Sequence, residues 1–101
     1  MKMVAVELLK LAEAVMRTDM TFSRSPQADE SKLNAIHYEV SRFVDTVRRN
    51  ENLSTFVNRS DDKDGMKLEV GISDHDETKA IVREIEGLAE KLSNKYDIEM
   101  E

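Results

Sequence analysis

Apolar positions recur at helical spacing in three stretches of this chain and alternate with polar ones in others. Across residues 3 to 17, Val4, Leu8, Leu11 and Val15 form one stripe, and Ala5, Leu9, Ala12 and Met16 form a second beside it. Glu7, Lys10, Glu13 and Arg17 make a narrow charged strip, and no Gly, Pro or Asn interrupts the run, which predicts a helix. A surface helix ordinarily carries one apolar stripe, so the second is surplus to a small domain's own core. Residues 18 to 29 contain the single proline, show no helical period and are expected to connect.

The next helix is predicted over about 29 to 49, with Leu33, Ile36, Val40, Phe43, Val44 and Val47 on its apolar side. Ser25 followed by Pro26 offers an earlier start, but Asp29 is the favoured N-cap, and Asn50 and Asn52 end the pattern. Residues 53 to 58 and 66 to 72 read as strands. In the second, Met66, Leu68, Val70 and Ile72 face one way while Lys67, Glu69 and Gly71 face the other. Asp64-Gly65 marks a turn between them, within a loop longer than the minimum.

A third helix is predicted over 76 to 94, burying Ile81, Ile85, Leu88 and Leu92. The tail alternates Tyr96, Ile98 and Met100 with acids, as a short strand would. A right-handed crossover through that helix would lay the tail parallel to residues 66 to 72. The expected architecture is thus a single α+β domain over residues 1–101. Its order is α-α-β-β-α-β, with residues 18–29 as a connecting loop and the helices on one face of a small sheet.

Composition narrows the function classes. The chain has 101 residues, of which 40% are hydrophobic but only 5% aromatic, so the core must be aliphatic. A net charge of −6 argues against a general phosphate binder, which usually carries a basic surplus. The absence of cysteine excludes disulfides, thiol catalysis and thiolate metal sites. Charges interrupt the N-terminal apolar run and no small-residue cleavage site follows it, unlike a signal peptide, and no segment is apolar enough to span a bilayer; a cytoplasmic location is expected.

The acid-rich stretch from Ser60 to Ala80 is the main candidate for site chemistry. Ser60, Asp62, Asp64 and Gly65 imitate the start of a calcium loop, but Lys67 and Gly71 stand where that loop needs an apolar residue and a bidentate glutamate. A hairpin turn explains the acids without an ion. Asp74 and Glu77 have the spacing of a capping box for the third helix. His37 and His75 lack any zinc-ligand spacing, no glycine-rich phosphate loop exists, and no serine sits in a nucleophile context, so neither metal nor cofactor nor enzymatic activity is expected.

Two binding classes remain. The first is a small acidic protein that binds another protein: a regulator, inhibitor, immunity or assembly factor, such as a phage-encoded inhibitor. Its contact surface would be the surplus helix face of Ala5, Leu9, Ala12 and Met16, on which a symmetric homodimer could also form. The second is a nucleic-acid-binding or nucleoid-type protein that uses a central basic patch of Arg42, Arg48, Arg49 and Arg59, with Tyr38 and Phe56 as stacking candidates.

Overall fold

The computed structural model describes residues 15–25, 29–73 and 77–100. Its elements are β1 (Val15–Ser23), α1 (Glu30–Glu51), β2 (Thr55–Asp62), β3 (Gly65–Ser73) and α2 (Thr78–Lys95), in the order β-α-β-β-α. Both β1 and β2 pair antiparallel with β3, which gives a three-stranded sheet of order β1-β3-β2. The parallel outer strands separated by the returning one make a split β-α-β arrangement.

The first correction lies at β1. Residues 15 to 23 form a strand where a helix end and a loop were expected. Met16, Thr18, Met20 and Phe22 lie opposite Ile72, Val70, Leu68 and Met66 of β3, so their alternation matches the most apolar strand of the sheet. Phe22 is fully buried there and Met20 nearly so. Thr18, Asp19 and Thr21 are also poor helix formers, and strand pairing takes them. Met1 to Ala14 lie outside the described residues, so the expected helix is overturned only over its last three positions.

The hairpin is tighter than expected. Asp62 pairs with Gly65, leaving Lys63 and Asp64 as a two-residue loop. Two-residue hairpin loops ordinarily need positive φ, yet neither residue has it. Asp62 Oδ1 compensates by accepting from the backbone N–H of Asp64 at 2.8 Å and of Gly65 at 2.9 Å. Gly65 is needed for space: a Cβ there would lie 2.3 Å from the Phe22 carbonyl oxygen.

The tail also departs from expectation. Met100 bridges antiparallel to Phe22, and Ser23 N–H donates to the Glu99 carbonyl, so the tail lies beside β1. The position next to β3 was never open, because β1 and β2 occupy both of its edges. Asp97 turns the chain toward that bridge with a φ of 56°.

Asp29 caps α1 by accepting from Lys32 N–H at 3.2 Å, and Asn52 closes it in the left-handed conformation. Leu33, Ile36, Val40 and Val44 of α1 join Ile81, Ile85, Ala89 and Leu92 of α2 over the apolar face of β3. α2 begins two residues later than expected, and Glu77 occupies its N-cap position without a side-chain cap bond. Asp74, His75 and Asp76 lie outside the described residues. The Thr78 hydroxyl instead donates to the Ser73 carbonyl at 2.7 Å, tying the helix start to the end of β3.

Candidate functional site

With both helices on one side, the opposite face of the sheet carries no helix among the described residues. Strand alternation sends Arg17, Asp19 and Thr21 of β1, Phe56, Asn58 and Ser60 of β2, and Lys67, Glu69 and Gly71 of β3 to that face. Phe56 lies directly opposite Gly71, and its ring covers the glycine so closely that a Cβ there would fall 2.1 Å from the ring. Arg17 sits over the same ring, 5.7 Å from its centroid, and reaches Glu69 at 3.3 Å. Asn58 donates to the other oxygen of Glu69 at 3.5 Å, and Lys67 lies 3.6 Å from Asp19. A partly buried aromatic ring thereby covers a glycine and lies beneath a guanidinium, inside a frame of mixed charge.

A second cluster lies where β2 meets α1. Arg59 and Asp61 sit at core-facing positions of β2, in register with Leu68 and Met66. The Arg59 side chain is only 19% exposed and contacts Asp61 at 2.7 and 2.8 Å, Asn34 at 2.8 Å and Glu30 at 2.9 Å. Arg24 joins from beyond β1 and pairs with Glu30 and, at 3.3 Å, with Asp61. The hydrogen bond from Arg59 holds the Asp61 carboxyl below its ordinary range.

His37 Nδ1 lies 3.3 Å from Arg59 Nη1. A guanidinium can only donate, so that ring nitrogen must accept and the imidazole is neutral. Burial, then the Arg59 charge, lowers the His37 pKa in agreement. The network is one that straps an edge strand to a helix. Inward-pointing charges of this kind also guard a strand edge against unwanted pairing.

The sequence-predicted sites fare differently. Ala5, Leu9 and Ala12 lie outside the described residues. Met16 sits in β1 and packs, half-buried, against the core, so it does not continue a helix face. The four arginines of the basic patch are not gathered. Arg48 and Arg49 both pair with Asp45 near the end of α1, at 2.7 and 3.1 Å. Arg59 is enclosed by acids near the start of the same helix, about 17 Å away along the axis. Arg42 stands apart, beside a shallow groove lined by Phe43, Thr46 and Leu88. Of the stacking pair, Tyr38 is exposed on α1 while Phe56 belongs to the open sheet face.

Among the described residues no group of three or more His, Asp or Glu side chains is placed to hold a metal ion, and no helix is long and apolar enough to cross a membrane. Sequence reasoning missed the grouping of Arg24, Glu30, Asn34 and Asp61 around Arg59. The available signal was the period-two series Val57, Arg59, Asp61, hidden because residues 59 to 62 read as loop.

Comparison with known proteins adds fold information. No family model matches the chain, and no curated protein matches it. Among solved structures, the de novo designed protein Ferredog-Diesel superposes with a TM-score of 0.64 at 15% identity, covering 86% of this chain and 81% of that one. At that identity the likeness extends to the fold alone: the chain shares its α+β architecture with a designed protein.

Proposed function

We propose that this chain is a small acidic protein-binding module, of the regulator, inhibitor, immunity or assembly-factor class, and that it docks on a protein partner through the sheet face that carries no helix among the described residues. The observation that carries this reading is the Phe56 platform. Aromatic residues and arginine are the side chains most enriched at the centres of protein interfaces, and here the two stack on each other above a glycine. The ring is pre-positioned, so docking costs little side-chain entropy. The acids that interleave with Arg17 and Lys67, within a chain of net charge −6, favour a protein surface over a phosphate backbone.

The reading is tested by proximity labelling in the source cells with the parent chain, with Phe56→Ser, and with Arg49→Ala as a control on the far side of the fold. A partner set labelled by the parent and the control but lost with Phe56→Ser supports it. An unchanged set with Phe56→Ser overturns it, and loss of nucleic-acid crosslinks in place of protein ones transfers the platform to base stacking.

A further inference from the structure

The sheet has two outer edges, and they are built differently. The β2 edge carries inward-pointing Arg59 and Asp61, charges that guard it against pairing. The β1 edge carries no inward charge: its core-facing residues are Met16, Thr18, Met20 and Phe22. The tail covers it at Phe22 and Ser23, and from Val15 to Thr21 it has no strand neighbour among the described residues. Its register with β3 runs without a bulge, so nothing twists this edge away from a newcomer.

The uncovered stretch, VMRTDMT, is complementary to itself when reversed about Thr18. In an antiparallel pair centred there, Arg17 lies opposite Asp19 of the other strand, Met16 opposite Met20, and Val15 opposite Thr21. Each pair shares a face, since the offset is even. The hydrogen-bonding direction agrees. Backbone groups alternate sides along a strand, and Ser23 N–H points outward to Glu99. Arg17, Asp19 and Thr21 therefore also present their N–H and C=O outward, so Arg17 and Asp19 become a hydrogen-bonded pair and Thr18 meets its copy in a close, non-hydrogen-bonded pair.

Charge bears on this edge in two places. Asp19 lies directly opposite Glu69 on β3, and each is answered within the chain, Asp19 by Lys67 at 3.6 Å and Glu69 by Arg17 at 3.3 Å. A second Arg17 arriving on the open side of Asp19 would add a cation opposite this exposed acid. On the helix layer, Thr18 Oγ1 donates to Glu86 at 2.8 Å, which places one side of α2 above this edge. That side carries Lys79 and Arg83 toward its start and Glu86 and Glu90 toward its end, all exposed. Two copies of α2 related by a two-fold axis at Thr18 run antiparallel, so Lys79 and Arg83 of each lie toward Glu90 of the other, while the two Glu86 carboxylates, each held by a Thr18 hydroxyl, approach one another beside the axis.

We infer that β1 is a self-pairing edge: two copies of this chain join through Val15–Thr21 about a two-fold axis at Thr18, making one continuous six-stranded sheet. The inference shares Arg17 with the Phe56 platform, where that guanidinium sits 5.7 Å from the ring centroid, but it rests on the β1 edge and not on a docked partner: Thr18→Cys crosslinking touches neither Arg17 nor Phe56 and reports on the pairing alone.

The test is a charge exchange on the full chain, followed by analytical ultracentrifugation. The parent sediments as a dimer. Arg17→Asp sets Asp against Asp, Asp19→Arg sets Arg against Arg, and each weakens dimerisation at least tenfold. An equimolar mixture of the two variants restores the dimer, since each 17–19 pair is then Asp with Arg. Circular dichroism confirms that each variant is folded. Should either fail to fold, Thr18→Cys provides an independent reading: the chain has no other cysteine, and close Thr18 partners permit a disulfide, so oxidation gives a covalent dimer. A parent that stays monomeric at about 100 µM, together with a Thr18→Cys variant that forms no disulfide, overturns the inference. So does a dimer indifferent to both charge substitutions, whose interface must then lie elsewhere, including on residues 1 to 14.

Discussion

Gly65, Gly71 and Gly87 share a residue type and nothing else. Gly87 lies on the exposed side of α2, where a Cβ would meet no atom within 4 Å. Gly87→Ala should therefore stabilise the fold by up to about 1 kcal/mol, the helix-propensity difference. Gly65 is the opposite case. Its Cβ would strike the Phe22 carbonyl, which is held in the sheet, so Gly65→Ala should destabilise by about 1–3 kcal/mol through displaced backbone. Urea denaturation of the two variants measures both signs. Sequence alone marked Gly65 as a turn glycine, whereas it opens β3 and is needed there for the space the Phe22 carbonyl leaves, because free space around a Cβ is a property of neighbours distant in the chain.

At the scale of elements, the seam between α1 and β2 is electrostatic where the α1–α2 contact is apolar. Its pH dependence follows from His37, which the fold holds neutral against Arg59, with Asp61 as the opposing charge nearby. Because its folded pKa is lowered from 6.5, its contribution is intact above that value. As pH falls through the window below 6.5 the unfolded chain binds a proton that the fold resists, and stability declines. Asp61 works in a separate window: its pKa lies below 3.8, so the stability it lends is lost only as pH falls past that value. Thermal unfolding at pH 7.5 and 5.5 should show a drop for the parent that His37→Gln reduces. An equal drop in the variant would assign the effect to other groups.

For the whole molecule, charge placement decides more than charge count. The described arginines at the end of α1 and within β2 are largely answered by Asp45, Asp61 and Glu30, and the net charge of the chain is −6. The chain should therefore show no retention on duplex DNA at about 0.1 M salt, where binding depends on releasing phosphate counterions to uncompensated cations. Retention that falls steeply with added salt would reinstate the basic patch. The two sheet edges follow the same logic. One is guarded by charges turned inward, while the other carries an alternating pattern that matches its own reverse.

What the sequence determined by itself was the type and place of α1, α2 and β3. The 3.6-residue period placed α1 and α2, Asp29 and Asn52 marked the ends of α1, and strict alternation identified β3. Those signals are written in neighbouring residues and survive any tertiary arrangement. What only the tertiary structure decided was the fate of segments with two acceptable readings. Val15 and Met16 fit the end of a helical stripe as well as the start of a strand, and the apolar face of β3 drew them into a sheet. The tail was strand-like in either reading, but its neighbour depended on which edge β1 had already taken. Arg59 looked like part of a basic patch until pairing of β2 turned it inward onto Asp61, Glu30 and His37. Pairing between distant strands fixes which way each side chain points, and no local pattern carries that information.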